Sequence, residues 1–283
     1  MAGMCVDFMI IGAQKSGTTS LAAQLADHPQ ICFSEIKEPE FFDSQESWEE
    51  NLPAYHQLFK PLGGQLCGEA STTYTFLPET PETSIRIHSY NPDMKLIYIM
   101  RQPVNRIISH YAHNLVRGLE NRSPLAAVVE DPRYINRSRY GVQIRPYIEL
   151  FGRENILLLI FEEYVADQLA TLAAVAEFLG IDGTEFRDVD TSARHKSVGE
   201  RQIKFRTAEK FTRTSLFRSM RDIIPEGFRH TIRYRLLSNQ LAETPHFDQE
   251  LKELIWRFVA GDVMEIEDYL GRVIPQWREA VLA

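Results

Sequence analysis

The sequence predicts an α/β fold, a central parallel sheet flanked by helices with a helical C-terminal extension. Three observations carry this. Short apolar runs alternate with stretches of helical periodicity over the first half of the chain, the mark of repeated βαβ units. Two of these runs, Val6–Ile11 (VDFMII) and Lys95–Met100 (KLIYIM), are apolar almost throughout, as strands buried on both faces are. The first of them leads directly into a glycine-containing loop and then a helix.

Val6–Ile11 is expected as the first strand, and Thr18–His28 as a helix that stops at Pro29. Gln30–Phe33 and Gln65–Glu69 are expected as the second and third strands, separated by a helix around Trp48–Phe59. Lys95–Met100 is the most strongly marked strand. Pro103 then opens a helix whose Ile107, Ile108, Tyr111 and Leu115 recur at helical spacing. A further strand, Ile156–Phe161, precedes one long amphipathic helix with Leu169, Leu172, Ala176 and Leu179 on its buried face and Gly180 as its cap. Beyond Gly180 the strands give out, and the chain reads as a basic loop, helices, and a final helix near Gln249–Leu270 packed on the sheet.

The 283 residues are expected to form a single domain, 1–283, because α/β folds of this length often do not divide and no linker or repeat interrupts the chain. With 44% hydrophobic and 25% charged residues, disorder is excluded as the default. The N-terminal apolar run lacks a basic leader and is too short to span a bilayer, which points to a cytoplasmic protein with no membrane span. Cys5, Cys32 and Cys67 have no metal-type spacing and are expected as reduced, buried small hydrophobes. The sequons at Asn121 and Asn136 are then chance occurrences. The net charge of −8 conceals a basic tract, Arg194–Arg235, with twelve Lys or Arg against four acids. This tract is either an anion-seeking surface or a solvated helical face.

Chemistry concentrates first in Ile11-Gly12-Ala13-Gln14-Lys15-Ser16-Gly17-Thr18-Thr19-Ser20. Between a strand and a helix, backbone N–H groups and the helix dipole make an anion site, and Lys15 adds a full positive charge. Walker A requires the lysine after the second glycine, where this chain has Thr18. An ATP- or GTP-dependent kinase also expects a magnesium-holding Asp at the end of a later strand, whereas Lys95–Met100 ends in Arg101. That kinase, and a nucleotide- or anion-binding module without catalysis, are the alternatives to the reading that follows.

The loop resembles that of the PAPS-dependent sulfotransferases, in particular the heparan-sulfate-type and bacterial branch, with the pattern G-x-x-K-x-G-T-[ST]-x-L. Gly12, Lys15, Gly17, Thr18, Thr19 and Leu21 match. The resemblance implies a P-loop-NTPase-like sheet and an enzyme moving a sulfuryl group from PAPS (3′-phosphoadenosine 5′-phosphosulfate) to a hydroxyl or amine, releasing PAP. Gly12, Gln14, Lys15, Ser16, Gly17, Thr18 and Thr19 would hold the 5′-phosphosulfate. The family's 3′-phosphate signature, an Arg at a strand end followed eight residues later by a Ser, is met by Arg101 and Ser109. An arginine at a strand's carboxyl end reaches the crevice where α/β sheets bind ligands, and its fork suits a phosphate. ATP has no 3′-phosphate, so this pair counts against the kinase.

Lys37-Glu38-Pro39-Glu40-Phe41-Phe42-Asp43 resembles the acidic segment of heparan-type enzymes, which places Glu38 as general base; some relatives carry His where this chain has Glu40. His110 and His113 are the competing bases. Gly68-Glu69-Ala70-Ser71-Thr72-Thr73-Tyr74 resembles a segment lining the acceptor side, where several relatives carry a lysine in place of Ala70. Glu40, Phe42, Glu69, Ser71 and Tyr74 are therefore expected as acceptor contacts, and Phe41 and Phe76 add aromatic surface. Lys196 and Gly199 fall where the family closes a loop over the nucleotide, and Tyr269–Trp277 resembles the closing helix of bacterial members.

A metal is not expected, since lysine can neutralise the singly charged sulfate end and no ligand motif occurs. Nor is nucleic acid, because Phe205, Phe211, Phe217 and Phe228 are irregularly spaced among the basic residues and the chain is acidic. The expected partner is a small-molecule, carbohydrate, lipid or biosynthetic-intermediate acceptor, the donor machinery being the same for all.

Overall fold

A computed structural model describes residues 5–43, 47–186, 201–203, 238–240 and 245–282. Five parallel strands, β1 (Phe8–Gly12), β2 (Ile31–Phe33), β3 (Leu66–Ala70), β4 (Lys95–Met100) and β5 (Ile156–Ile160), form one sheet in the order β2-β3-β1-β4-β5. Strand alternation divides the core in two. Met9, Ile11, Leu96, Tyr98, Met100, Leu158 and Ile160 face one layer. Phe8, Ile10, Ile97, Ile99 and Leu159 face the other.

The second layer is covered by α1 (Thr18–Ala26), α8 (Phe161–Ala166) and α9 (Gln168–Leu179) through Leu21, Leu25, Tyr164, Leu172, Val175 and Leu179. The first is covered by α2 (Trp48–His56), α3 (Thr83–Tyr90), α7 (Tyr140–Phe151), α10 (Gln249–Leu270) and α11 (Pro275–Leu282). Between them run α4 (Pro103–Arg117), α5 (Pro124–Glu130) and α6 (Arg133–Asn136), sharing a small core with the start of α10. α4 begins on Pro103, with Gln102 accepting from Asn105 N at 2.7 Å, and ends on Gly118 in the left-handed conformation, the asymmetry expected of helix ends.

Three expectations are corrected. The helix before Gly180 is α9, started by Asp167, which accepts from Ala170 N at 2.9 Å; Leu172, Ala176 and Leu179 are buried in it, but Leu169, in its first turn, is 50% exposed instead of sharing their face. Strands do not end at Gly180, since β6 (Arg201–Ile203) and β7 (Ser238–Gln240) pair antiparallel beside α4. Of the cysteines, all free thiols, only Cys67 is buried; Cys32 is half-buried and Cys5 exposed. The rest of the Arg194–Arg235 tract, with Lys196, Gly199 and its four phenylalanines, lies outside the described residues.

Candidate active site at the carboxyl edge of the sheet

Parallel strands deliver all their following loops to one edge, and the residues singled out above emerge there. β1 ends in the phosphate loop. Gly12 sits so close to its neighbours that a Cβ would lie 2.3 Å from Thr75 Oγ1 and 2.7 Å from the Tyr98 ring. Ala13 N then donates to Ile99 O at 2.7 Å, and Thr75 Oγ1 donates to Ile11 O at 2.8 Å, tying the loop to β4 and to the turn after β3. Lys15 takes a left-handed backbone with φ 70° and Gly17 has φ 91°, so the loop folds back before α1 starts and leaves the first amides of the helix to face an anion.

Arg101 follows β4 and is half-buried, with its guanidinium 5.1 Å from the centre of the Phe161 ring. Burial lowers its pKa, opposed by the charge of Glu162. The same Phe161 ring fills the space beside Gly17, so the second loop glycine and Arg101 share one aromatic wall. Ser109 stands half-buried two turns into α4. The segment between them is locked from behind: Glu162 accepts from Gln102 N at 2.9 Å and from the Trp277 indole at 3.0 Å, while Gln102 Nε2 donates to Trp277 O at 3.1 Å. Trp277, fully buried, is how the C-terminal helix reaches the site.

The loop after β2 carries Glu38, half-buried, between exposed Lys37 and exposed Glu40. Glu38 and Glu40 both have positive φ, 54° and 53°. Lys37 Nζ donates to Thr19 Oγ1 at 2.9 Å, which brings the β2 loop against the phosphate loop. Partial burial, and then the charges of Asp43 and Glu38, raise the pKa of Glu40.

The residues expected on the acceptor side divide. Glu40 is accessible, but Phe42, Glu69, Ser71 and Tyr74 are buried, forming the wall beneath the β2 loop. Phe41 and Phe42 pack with Trp48, Tyr55 and Tyr90 in an aromatic cluster of the core, where large apolar rings belong. Glu69 accepts from Tyr55 Oη at 2.9 Å, Tyr74 Oη at 2.7 Å and Ser71 Oγ at 2.7 Å. Burial raises its pKa to about 7 against the lowering effect of these three bonds.

The two rival histidines also part company. His110 is buried against the Tyr134 ring, and burial together with the charges of Arg106 and Arg137 holds its pKa far below the usual imidazole range. His113 lies at the site, with Nδ1 3.3 Å from Lys15 Nζ. Two residues went unassigned from sequence. Lys37 stands beside Glu38, and its basic side chain was the available signal. Arg137 lies 3.5 Å over the Phe76 ring and donates to Gln14 at 3.3 Å, a contact 123 residues apart that no local pattern announces. Among the described residues no group of three or more His, Cys, Asp or Glu is placed to hold a metal ion, and no helix is long and apolar enough to cross a membrane.

A glycine-containing loop with Lys15, a half-buried arginine and a half-buried glutamate thus gather at the carboxyl edge of a parallel sheet, where α/β folds bind ligands. Comparison with known proteins makes this specific. The chain belongs to the sulfotransferase domain family, whose model matches residues 6–233. It is 31% identical over 182 residues to the heparan sulfate glucosamine 3-O-sulfotransferase 6 of Homo sapiens, covering 61% of this chain and 52% of that protein. It is also 31% identical over 183 residues to the 3-O-sulfotransferase 3B1 of Mus musculus, covering 61% of this chain and 45% of that one. The chain thus spans about half the length of the curated relatives it matches. A crystal structure of a sulfotransferase from Alicyclobacillus acidocaldarius shares the fold, with a TM-score of 0.69 at 24% identity over 98% of this chain and 100% of that one.

Proposed function

We propose that this protein transfers the sulfuryl group of PAPS to a hydroxyl or amine of an acceptor, with Glu38 as general base. The observation that carries the reading is the 2.9 Å bond from Lys37 to Thr19, which sets the loop holding Glu38 against the loop that receives the donor's 5′-phosphosulfate. A binding module needs only the second of these loops. Gly12–Thr19 would hold the phosphosulfate and Arg101 with Ser109 the 3′-phosphate; the crowded glycine positions and the Thr18 and Thr19 amides at the start of α1 fit such an anion.

In the reaction the acceptor oxygen or nitrogen bonds to sulfur while the bond from sulfur to the 5′-phosphate oxygen breaks. Glu38 takes the acceptor's proton, and Lys15 with the loop amides meets the charge that develops on the departing PAP. His113, in contact with Lys15, orients that lysine, and no metal is needed to neutralise a singly charged sulfuryl end.

For the acceptor, the likeness to enzymes named for glucosamine 3-O-sulfation supports a carbohydrate hydroxyl. The test is transfer of ³⁵S from PAPS to N-sulfated heparan sulfate, neutral amino sugars and simple alcohols. Glu38→Gln is expected to lower turnover by about 10²–10⁴-fold on whichever acceptor is used. Full turnover by that variant removes Glu38 from the mechanism.

A further inference from the structure

We infer that Glu69 is a positioning residue for the base, holding the Glu38–Phe41 segment in place through two buried hydroxyls. The inference rests on the sulfotransferase reading for the role of Glu38, but its geometry stands alone. Glu69 lies on β3, facing the aromatic cluster on the same side as Cys67, with no exposed surface. An ionised carboxylate only accepts hydrogen bonds, so the hydroxyls of Ser71 and Tyr74 must point their protons at it. Their oxygens are thereby left as acceptors on the opposite side. Ser71 Oγ receives Glu40 N–H at 3.0 Å, and Tyr74 Oη receives Phe41 N–H at 3.0 Å. Those two amides belong to the loop whose Glu38 and Glu40 hold a left-handed backbone that non-glycine residues adopt only when their surroundings fix it. One carboxylate thus dictates the polarity of two relays, and the relays hold the base loop by its backbone.

A protonated Glu69 would donate one hydrogen itself and turn a hydroxyl round, removing an acceptor from the loop. The groups facing it are Tyr55 from α2, Ser71 and Tyr74 from its own strand and the turn after it, and Asp43, whose charge favours the protonated form. Burial places the change near pH 7. Loop order is therefore expected to respond to pH in the wild type and not in Glu69→Gln.

Amide hydrogen exchange of the full chain, read by NMR at Glu40 and Phe41, tests this beside calorimetric titration with PAP. In the wild type, protection of these amides relative to their intrinsic rates should fall several-fold from pH 8.5 to pH 5.5, where less than about a tenth of Glu69 is ionised. Glu69→Gln should show lowered protection at both pH values while PAP affinity stays within about twofold. Tyr74→Phe, which keeps the ring, should expose the Phe41 amide alone and leave Glu40 protected, and this pattern carries the test if Glu69→Gln does not fold. Wild-type protection at both amides in Glu69→Gln, equal loss at both amides in Tyr74→Phe, or PAP affinity falling in step with protection overturns the inference. If exchange behaves as expected but Glu69→Gln transfers sulfuryl at the wild-type rate, the positioning stands and the role of Glu38 as base falls.

Discussion

Gly17 holds φ at 91°, with the Phe161 ring 2.8 Å from where a Cβ would stand. A methyl group there strains the backbone by about 1–2 kcal/mol and displaces the ring against which Arg101 rests. Gly17→Ala is therefore expected to weaken PAP binding at least tenfold by calorimetry with a folded circular dichroism spectrum retained; unchanged affinity would show that the Phe161 wall does not place Arg101. Glu69 has the opposite balance between stability and use. Its pKa in the folded chain is raised from 4.5 to about 7, so its favourable contribution is complete below pH 4.5 and is lost as pH rises through 7. Ionised Glu69 thus destabilises the fold by about 3 kcal/mol at pH 8. Urea unfolding of Glu69→Gln should show a stability gain over wild type that grows from pH 4.5 to pH 8; a constant difference between the two proteins would contradict the buried ionisation. At this scale the sequence offers the donor residues as candidates, because glycine, lysine and hydroxyl side chains at fixed spacing carry their own chemistry, and the structure brings Gly12–Thr19 and Arg101 to one edge of the sheet. Glu69, Ser71 and Tyr74 were assigned to the acceptor surface because nothing local shows that Tyr55, fourteen residues upstream, closes over the carboxylate.

The elements matter to the site through how they are fixed, and the clearest case is the joint of β4, α4, α8 and α11. Glu162 satisfies Gln102 N–H and the Trp277 indole together. Glu162→Ala leaves both donors without that acceptor in a partly buried setting, a loss of about 2–6 kcal/mol at roughly 1–3 for each orphaned group, toward the lower end where water reaches them. A urea midpoint lowered accordingly, with weaker PAP binding because Arg101 precedes the freed segment, is the expected outcome; a loss of stability with PAP affinity intact would separate the joint from the donor site. The five strands of the parallel sheet were legible to within a residue or two, since buried runs such as KLIYIM have few other uses, whereas the short β6 and β7 were not. The short helix α8 was not legible either, and Leu169, three residues before Leu172, was grouped with the buried face of α9 although it lies exposed in the first turn. Nor did α7 announce itself. It buries Tyr140, Ile144, Tyr147 and Phe151 at helical spacing, yet it contains Gly141 and Pro146, residues that ordinarily argue against a helix.

For the whole molecule, the alternation of runs was enough to give a parallel sheet, but strand order was not legible in it. Placing β1 between β3 and β4 depends on register between segments 60 and more residues apart, such as Phe8 with Gly68 and with Lys95. That order is what sets the loops after β1, β3 and β4 side by side at one edge, with the β2 loop reaching across through Lys37. On the proposed reading, this edge receives a nucleotide bearing a 3′-phosphate as well as a 5′-phosphosulfate.

The measurement that tests it most directly is calorimetric titration of the magnesium-free protein with PAP, 5′-AMP and ATP, in the wild type and in Arg101→Ala. PAP is expected to bind with micromolar affinity, at least tenfold tighter than 5′-AMP, and Arg101→Ala should abolish most of that difference. ATP binding more tightly than PAP, or equal affinity for PAP and 5′-AMP in the wild type, would contradict the donor assignment.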